Sequence, residues 1–376
     1  MSQPEFLPFT KPTLDEETIQ SVASVLRSGW ITSGPKVQEF EAALSEHFGG
    51  RPVRVANSAT AALEIGLRLM GIGPGDEVIT TPLTWVATVN VILKVGATPV
   101  LVDIDPATRN IDLDLLEKAI APNTRALLPV DLAGLPVDRK RLYEIAGAHN
   151  LRVLEDAAQS QGATSHGERI GTKGDLCSVS FHPNKNITSI EGGALVMNTL
   201  DEAREFEKWR LQGVERLPDG TMDVTLPGGK CNLTDVAAAV GLGQLKRIVE
   251  FNTKRTRLAH RYFDRLNRDL GLELPVWSDD SNWHMFQPLL PLERMKFGRG
   301  EFIAKMKDKG IGVGVHYPAL HLFTLFRAMG YSEGQYPVAE RVGASTVSLP
   351  LFPGMSPEDV DRVCEALEQV MKEALA

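Results

Sequence analysis

The chain has 376 residues, of which 43% are hydrophobic and 23% are charged, the proportions of an ordinary folded protein. This length suggests two or three folding units, and the composition excludes a disordered chain, a collagen and a disulfide-stapled mini-domain. The formal net charge of −8 excludes the broad basic surface of a general nucleic-acid binder. Cys177, Cys231 and Cys364 lie far apart and without metal-ligand spacing, which favours free thiols in a reducing compartment. We therefore expect a cytoplasmic protein without a metal site.

Strand-like and helix-like segments alternate along the first half of the chain. Helix-like segments run from Ala61 to Met70, from Asp112 to Ala121 and from Arg139 to Asn150. Around them lie short runs rich in β-branched residues and bounded by Gly, Pro or Asp, as is typical of strands buried on both faces. These runs are EVITTPL, ATPVLVDIDP, TRALLPVDLAG, LRVLEDAA, LCSVSFHP and GGALVMN. The alternation predicts an α/β fold with a mostly parallel sheet covered by helices.

The pattern changes from Asn252 onward. A long helix is predicted from Thr253 to Asp269 and a final helix from Pro357 to Ala376, with mixed segments between them. We therefore predict a large α/β domain over residues 1–250, which includes the N-terminal segment, and a smaller α+β domain over residues 251–376. We expect neither a signal peptide nor a membrane span, because the first residues lack a basic start and the most apolar stretch is interrupted by polar residues.

Four clusters of polar or aromatic residues follow predicted strands or open a predicted helix, where ligands of parallel sheets bind. Lys185 lies in SFHPNKN; because burial of an unpaired ammonium is unfavourable, it either reaches solvent or serves as a neutral amine in covalent catalysis. Asp156 follows the strand RVLE and either caps a helix or points into a ligand crevice. Ser58 to Thr60 form either a phosphate site or a plain N-cap. Trp85 either stacks on a flat ring or belongs to the core.

Together, these clusters form the set of groups that pyridoxal 5′-phosphate requires. Ser58 to Thr60 would anchor the phosphate, and Trp85 would stack on the ring. Asp156 would keep the pyridine nitrogen protonated, since an adjacent anion favours the charged form. Lys185 would bond covalently to the cofactor aldehyde and, once released by substrate, would carry the proton between substrate and cofactor. We therefore predict a pyridoxal-phosphate-dependent enzyme.

The sequence resembles the fold-type-I, pyridoxal-phosphate-dependent sugar aminotransferases of the DegT/DnrJ/StrS family. The motifs that carry the resemblance span nearly the whole chain. They are FLPFTKP, GWITSGP, TPLTWVATVNVILKVGATPVLVDID, EDAAQSQG, SFHPNKNITSIEGG, CNLTDVAAAVGLGQL, GVHYPALH and SLPLFPGM. Within the family, the likeness is closest to the UDP-4-amino-4-deoxy-L-arabinose aminotransferases. The resemblance implies a seven-stranded sheet of the fold-type-I kind and a homodimer whose subunits share their active sites.

The resemblance also assigns roles to individual residues. It makes Lys185 the catalytic lysine and places Gln159 near the phenolic oxygen of the cofactor ring. The implied cofactor-binding residues are Ser58, Ala59, Thr60, Trp85, Asp156, Gln159, Ser180 and, reaching the neighbouring subunit's phosphate, Asn232. The candidate substrate-binding residues are Trp30, Ile31, His182, Lys230, His316, Tyr317 and His321. Of these, His182 could instead shape its turn, and Lys230 could be an ordinary solvated lysine. His316, Tyr317 and His321 could instead have a packing role.

The predicted reaction has two halves. An amino donor, most simply L-glutamate, leaves as a 2-oxo acid, and a nucleotide-linked keto sugar such as a UDP-4-keto-pentose then receives the amino group. Lysine at position 185 favours transamination, because the sugar dehydratases of the family carry histidine there. Two alternatives stay open: an aminotransferase of the same fold that acts on a non-sugar carbonyl or amine, and a catalytically inactive regulator that binds pyridoxal phosphate.

Overall fold

The structure, a computed structural model, describes residues 5–375. Its centre is a sheet of seven strands, and two short hairpins lie outside this sheet. The sheet strands are β1 (Val53–Ala56), β2 (Glu77–Thr80), β3 (Thr98–Leu101), β4 (Thr124–Leu127), β5 (Arg152–Asp156), β8 (Leu176–Ser180) and β9 (Gly193–Val196). The hairpins pair β6 (Thr164–Ser165) with β7 (Glu168–Arg169) and β10 (Val214–Arg216) with β11 (Met222–Val224).

The sheet order is β1-β9-β8-β5-β4-β2-β3. Strands β8, β5, β4, β2 and β3 are mutually parallel, and β9 alone runs antiparallel to its neighbours β8 and β1. The predicted α/β fold with a mostly parallel sheet is therefore confirmed, and all six strand-like runs form sheet strands. The sequence patterns missed β1, whose four residues include the charged Arg54.

The direction in which the chain crosses the sheet changes beside β2. The chain passes from β2 outward to β3 and then returns to place β4 on the other side of β2. The loops that leave β2 and β4 therefore diverge and open a crevice at the carboxyl edge of the sheet, which is where ligands of such sheets bind. The loop after β2 carries Thr84 and Trp85, so both residues lie at this crevice.

Thirteen α-helices surround the sheet and build the C-terminal part of residues 5–375. Several begin at residues suited to the N-cap position, such as Asp15, Ser58 and Thr199, whose side chains accept hydrogen bonds from the first turn. The helices are α1 (Glu16–Ser28), α2 (Pro35–His47), α3 (Ala59–Leu69), α4 (Ala87–Lys94), α5 (Leu113–Lys118), α6 (Arg139–Ala148), α7 (Leu200–Arg210), α8 (Asp235–Leu245), α9 (Ile248–Arg265), α10 (Arg299–Asp308), α11 (Thr324–Ala328), α12 (Pro337–Ser345) and α13 (Pro357–Leu375). Four 3-10 helices cover Leu132–Gly134, Arg268–Leu270, Leu292–Arg294 and Leu320–Leu322.

The predicted helices are present with shifted ends. Helix α9 begins before the predicted Thr253 and ends at Arg265, and a separate 3-10 helix covers Arg268–Leu270. The final helix begins at the predicted residue, while its predicted last residue, Ala376, lies outside the described residues. None of the helices in residues 5–375 combines the length and the apolar character needed to cross a bilayer.

Helix α9 connects two parts of the hydrophobic core. Its first buried residues, Ile248 and Phe251, pack against the sheet-side core, whereas Leu258 and Tyr262 pack into a separate C-terminal core. The N-terminal segment joins that C-terminal core, since Leu7 forms a parallel bridge with Ile311. This placement of Leu7 arises from a pairing distant in sequence, whereas α1, the helix that follows Leu7, packs against α8. The assignment of the N-terminal segment to the large domain stays a prediction. The division of the chain at residue 250 stays a prediction.

Candidate active site

A cavity of about 430 Å³ lies at the carboxyl edge of the sheet. It collects the residues that follow β2, β5 and β8, together with the start of α3 and one loop of the C-terminal part. The sequence-predicted residues that line it are Ser58, Ala59, Thr60, Trp85, Asp156, Gln159, Ser180, His182, Lys185, His316 and Tyr317. The fold therefore brings together residues that are up to about 260 positions apart in the chain.

The first turn of α3 forms one wall of the cavity. The side chain of Ser58 caps the helix by accepting a hydrogen bond from the Ala61 amide at 3.1 Å. The preceding amides of Ala59 and Thr60 make no hydrogen bond among residues 5–375. They stand at the positive end of the helix dipole, which favours a bound anion.

Gly193 of β9 allows α3 to start this close to the sheet. A Cβ atom at this position would overlap the backbone nitrogen and Cα of Ala59. Any larger residue would therefore push the helix start away from the sheet. The second glycine of the sequence Glu191-Gly192-Gly193 is thus required by close packing beneath the cavity wall.

Asp156 is the last residue of β5 and is buried. Its Oδ2 accepts a hydrogen bond from the Thr88 hydroxyl at 2.8 Å, and its Oδ1 accepts one from the Ala158 amide at 3.3 Å. Burial raises the pKa of this carboxyl, and the two hydrogen bonds oppose the rise because they favour the ionised form. Asp156 is thus a buried acid held by donors on both oxygens, as a partner for a cationic ring nitrogen would be.

Lys185 lies in the loop between β8 and β9, after a turn closed by its amide and the His182 carbonyl at 2.9 Å. Its Nζ has no hydrogen-bond or ion-pair partner among the described residues. Burial in the cavity lowers its pKa from the usual 10.5 to about 8, despite attraction by Asp156. An amine with this pKa loses its proton readily near neutral pH, which covalent and acid–base catalysis both require.

Gln159 is oriented by its neighbours. Its Oε1 accepts a hydrogen bond from the Ala133 amide at 2.9 Å, and its backbone carbonyl accepts one from Asn282 Nδ2 at 3.0 Å. These contacts leave the Nε2 donors of Gln159 without a partner within residues 5–375. The side chain therefore offers hydrogen-bond donors, rather than an acceptor, to a ligand in the cavity.

Three aromatic side chains, those of Trp85, His316 and Tyr317, also line the cavity. Trp85 is 58% exposed, and its ring lies 5.9 Å from that of Tyr317. His316 stacks on Phe9 and shares a hydrogen bond with Ser348 Oγ at 2.9 Å. Burial lowers the pKa of His316 to about 4, with repulsion from Lys185 adding to the effect. His316 is therefore a neutral imidazole at neutral pH.

The rim of the cavity is polar. His182 Nδ1 lies 2.8 Å from Asn184 Oδ1, and His182 Nε2 lies 3.9 Å from the Glu191 carboxylate. Asn184 and Glu191 also line the cavity. This rim can both donate and accept hydrogen bonds to a polyhydroxylated substrate.

Five predicted site residues do not line this cavity. Trp30, Ile31 and Lys230 are exposed, and Asn232 donates a hydrogen bond to Ser33 Oγ at 2.8 Å. His321 is fully buried, and its Nε2 lies 2.9 Å from the Glu340 carboxylate. Within one chain, the site therefore lacks all five residues, and His321 is enclosed away from it.

Sequence patterns missed Thr84 and Thr88, which line the cavity and connect to Asp156. Their spacing of four residues is a weak signal, because it would place both side chains on one face of a helix, whereas α4 begins only at Ala87. Thr88 also interrupts the most apolar stretch of the chain. As a sequence pattern, that interruption argues only against a membrane span.

The residues of this cavity fit pyridoxal 5′-phosphate. The cofactor requires an anion site, a carboxylate for the ring nitrogen, a donor for the phenolic oxygen and an amine for the aldehyde. The start of α3, Asp156, Gln159 and Lys185 offer these groups in one cavity. The unpartnered amine and the unpartnered Gln159 donors are groups that a ligand would satisfy.

Comparisons with known proteins agree with this chemistry. The sequence model of the DegT/DnrJ/EryC1/StrS aminotransferase family matches residues 12–368. The spore coat polysaccharide biosynthesis protein SpsC of Bacillus subtilis is 39% identical over 98% of both chains. The pyridoxal-phosphate form of Spr1654 from Streptococcus pneumoniae superposes with a TM-score of 0.89 at 33% identity, over 98% of this chain and 99% of that one. Helicobacter pylori PseC, an aminotransferase involved in the biosynthesis of pseudoaminic acid, has a TM-score of 0.91 at 28% identity, over 98% of this chain and 100% of that one.

Proposed function

Since this chain belongs to the DegT/DnrJ/EryC1/StrS aminotransferase family and is a pyridoxal-phosphate-dependent aminotransferase, we propose that it aminates a keto sugar carried on a nucleotide. L-glutamate is the proposed amino donor. The roles of SpsC in spore coat polysaccharide biosynthesis and of PseC in pseudoaminic acid biosynthesis support a sugar as the acceptor. The polar rim formed by His182, Asn184 and Glu191 supports it as well, because sugar hydroxyls need both donors and acceptors.

The observation that carries the proposal is one cavity with a free amine, a buried acid and an open helix start. When bound, pyridoxal 5′-phosphate supplies an aldehyde carbon for the amino group and an electron-withdrawing ring. Ala59, Thr60 and Ser180 hold the phosphate, with Ser58 fixing the helix start. Asp156 pairs with the ring nitrogen, and Gln159 donates to the phenolic oxygen.

Lys185 has two roles in the proposal. Its Nζ would hold the cofactor through the aldehyde carbon until substrate arrives, and the freed amine would then take up and release the proton that moves in each half of the reaction. A pKa of about 8 suits the second role, because the amine can hold or release a proton near neutral pH. Trp85 covers one side of the ring and limits access of water, while Tyr317 and neutral His316 border the substrate space.

A homodimer completes the proposed site. Trp30 and Ile31 are neighbouring apolar residues with 59% and 51% of their surface exposed, and contiguous exposed apolar surface favours an interface. In the proposal, these residues and Lys230 line the substrate opening of the neighbouring subunit, and Asn232 reaches its phosphate. His321 is assigned no substrate contact, because it is enclosed with Glu340. The cytoplasmic location expected from the cysteines belongs to the same proposal.

The test is a panel of UDP-, dTDP- and GDP-linked keto sugars, including a UDP-4-keto-pentose, with L-glutamate as donor. The proposal expects 2-oxo acid release and an aminated sugar for at least one nucleotide, with both lost in Lys185→Ala. Activity on simple amines or non-sugar carbonyls, with silence across the panel, would support the alternative aminotransferase. A cofactor band that glutamate does not change would indicate a regulator without catalysis.

A further inference from the structure

Two threonines connect the cavity wall to the buried acid. Thr88 Oγ1 lies 2.8 Å from Asp156 Oδ2, and Thr84 Oγ1 lies 2.9 Å from Thr88 Oγ1. All three residues line the cavity. We propose that Thr84 and Thr88 are positioning residues that keep the Asp156 carboxylate ionised and oriented toward the cofactor ring. The inference rests on the proposed pairing of Asp156 with the ring nitrogen.

The direction of the hydrogen bonds follows from the number of protons. A carboxylate only accepts, so the single Thr88 proton is used on Asp156. Thr88 can then only accept from Thr84, whose proton therefore points to Thr88. Both hydroxyls thus point toward the acid, and each donor in such a chain strengthens the next.

Neither hydroxyl is needed by the local backbone. Helix α4 has no side-chain hydrogen bond at its N-cap, Val86, although threonine commonly caps helices. Thr84 and Thr88 are 2% and 0% exposed, so solvent does not hold them either. Burial of two hydroxyls is unfavourable unless they are bonded; here Thr88 bonds to the acid and Thr84 bonds to Thr88. This use distinguishes them from threonines that only fill the core.

The surroundings of Asp156 explain why the carboxylate needs such donors. Three titratable groups face it from other segments: Lys185, Asp131 and Tyr317. Lys185 favours the anion but is bound to the cofactor in the working enzyme, and the negative charge of Asp131 opposes it. Glu155, the preceding residue, is paired with Arg139 at 3.1 Å and gives no donor to Asp156. The threonine chain is therefore the side-chain source of hydrogen bonds to this acid among the described residues.

The experiment compares Thr88→Val with Thr88→Ser and with Thr84→Val in the holoenzyme. Valine keeps the shape of threonine and removes the hydroxyl, while serine keeps the hydroxyl. Thr80→Val is the matched control, because Thr80 is equally buried and donates to the Leu128 carbonyl at 2.8 Å, outside the site. The readouts are the equilibrium dissociation constant of pyridoxal 5′-phosphate and the pH midpoint of the visible absorbance band.

We expect Thr88→Val to weaken cofactor binding by about 10- to 100-fold, the loss associated with a hydrogen bond to a charged group. The pH midpoint of the absorbance band rises by about one unit. Without the Thr88 hydrogen bond, the ionised form of Asp156 is less stable, so the cofactor ring carries less positive charge and the nearby lysine nitrogen keeps its proton to a higher pH. Thr84→Val has the same effects at smaller size, Thr88→Ser restores both values, and Thr80→Val changes only thermal stability. Wild-type affinity and midpoint in Thr88→Val, or equal shifts in Thr80→Val, would overturn the inference. If wild-type protein itself does not bind the cofactor at Lys185, the proposed function fails instead.

Discussion

The lowered pKa of Lys185 predicts that removal of its charge stabilises the cofactor-free protein. Below about pH 8, both the folded and the unfolded chain carry the ammonium, and the fold bears the full unfavourable energy of holding it in the cavity. A fall of the pKa from 10.5 to about 8 corresponds to about 3 kcal/mol. This energy already includes the favourable attraction between the Lys185 ammonium and Asp156. Lys185→Met, which keeps the length of the side chain without its charge, should therefore raise the free energy of unfolding by up to about 3 kcal/mol at pH 7.

The pH dependence has a definite sign. Between about pH 8 and 10.5, the folded chain releases its proton before the unfolded chain does, so wild-type stability rises with pH and the advantage of the variant shrinks. The assay is urea unfolding of both cofactor-free proteins from pH 7 to 11, with the exposed Lys118→Met on α5 as control. Equal stability at pH 7, or an advantage that persists above pH 10.5, would refute the argument that burial lowers this pKa.

Three further predictions test other features of the fold. Gly193→Ala should reduce cofactor affinity at least about tenfold and destabilise the protein by about 1–3 kcal/mol, because the added Cβ atom would overlap Ala59. Gly147→Ala is the control, since a Cβ atom there has no neighbour within 4 Å. Thermal melting should show that this control is neutral or slightly stabilising. Ile190 has φ +72° and is half exposed, so Ile190→Gly should stabilise the free chain by about 1 kcal/mol by relieving strain, and a lower melting temperature would contradict this. Burial lowers the pKa of His47 to about 4. As the pH falls from 6.5, the unfolded chain therefore takes up a proton before the folded chain does, and stability is lost down to about pH 4. His47→Gln should flatten that part of a pH–stability curve.

The sequence predicted the elements of the sheet well, because strands buried on both faces are short apolar runs that local patterns reveal. It missed β1, since Arg54 interrupts the run and its pairing partner β9 lies far along the chain. The predicted start of α9 was also wrong. The first turn of α9 packs against the sheet-side core, whereas the rest of the helix packs into the C-terminal core, so the apolar pattern is not continuous along the helix.

The candidate site was predictable where chemistry depends on strand ends, as for Asp156 and Lys185. It was not predictable where a role depends on distant contacts. Thr88 is an unremarkable residue in an apolar stretch until the fold places it against Asp156. His321 resembles a site residue in its proline-containing loop, yet Glu340 from α12 encloses it. In both cases a single long-range contact decides the role, and no local pattern contains that contact.

The central claim is that the amine of Lys185 binds pyridoxal 5′-phosphate covalently in the cavity beside Asp156. Borohydride reduction of the holoenzyme, followed by proteolysis and mass spectrometry, tests it most directly. We predict one cofactor-sized mass increase, confined to the peptide that contains Lys185 and absent from Lys185→Met treated in parallel. A modification on a different lysine, or an unmodified Lys185 peptide from protein that retains the cofactor band, would contradict the account.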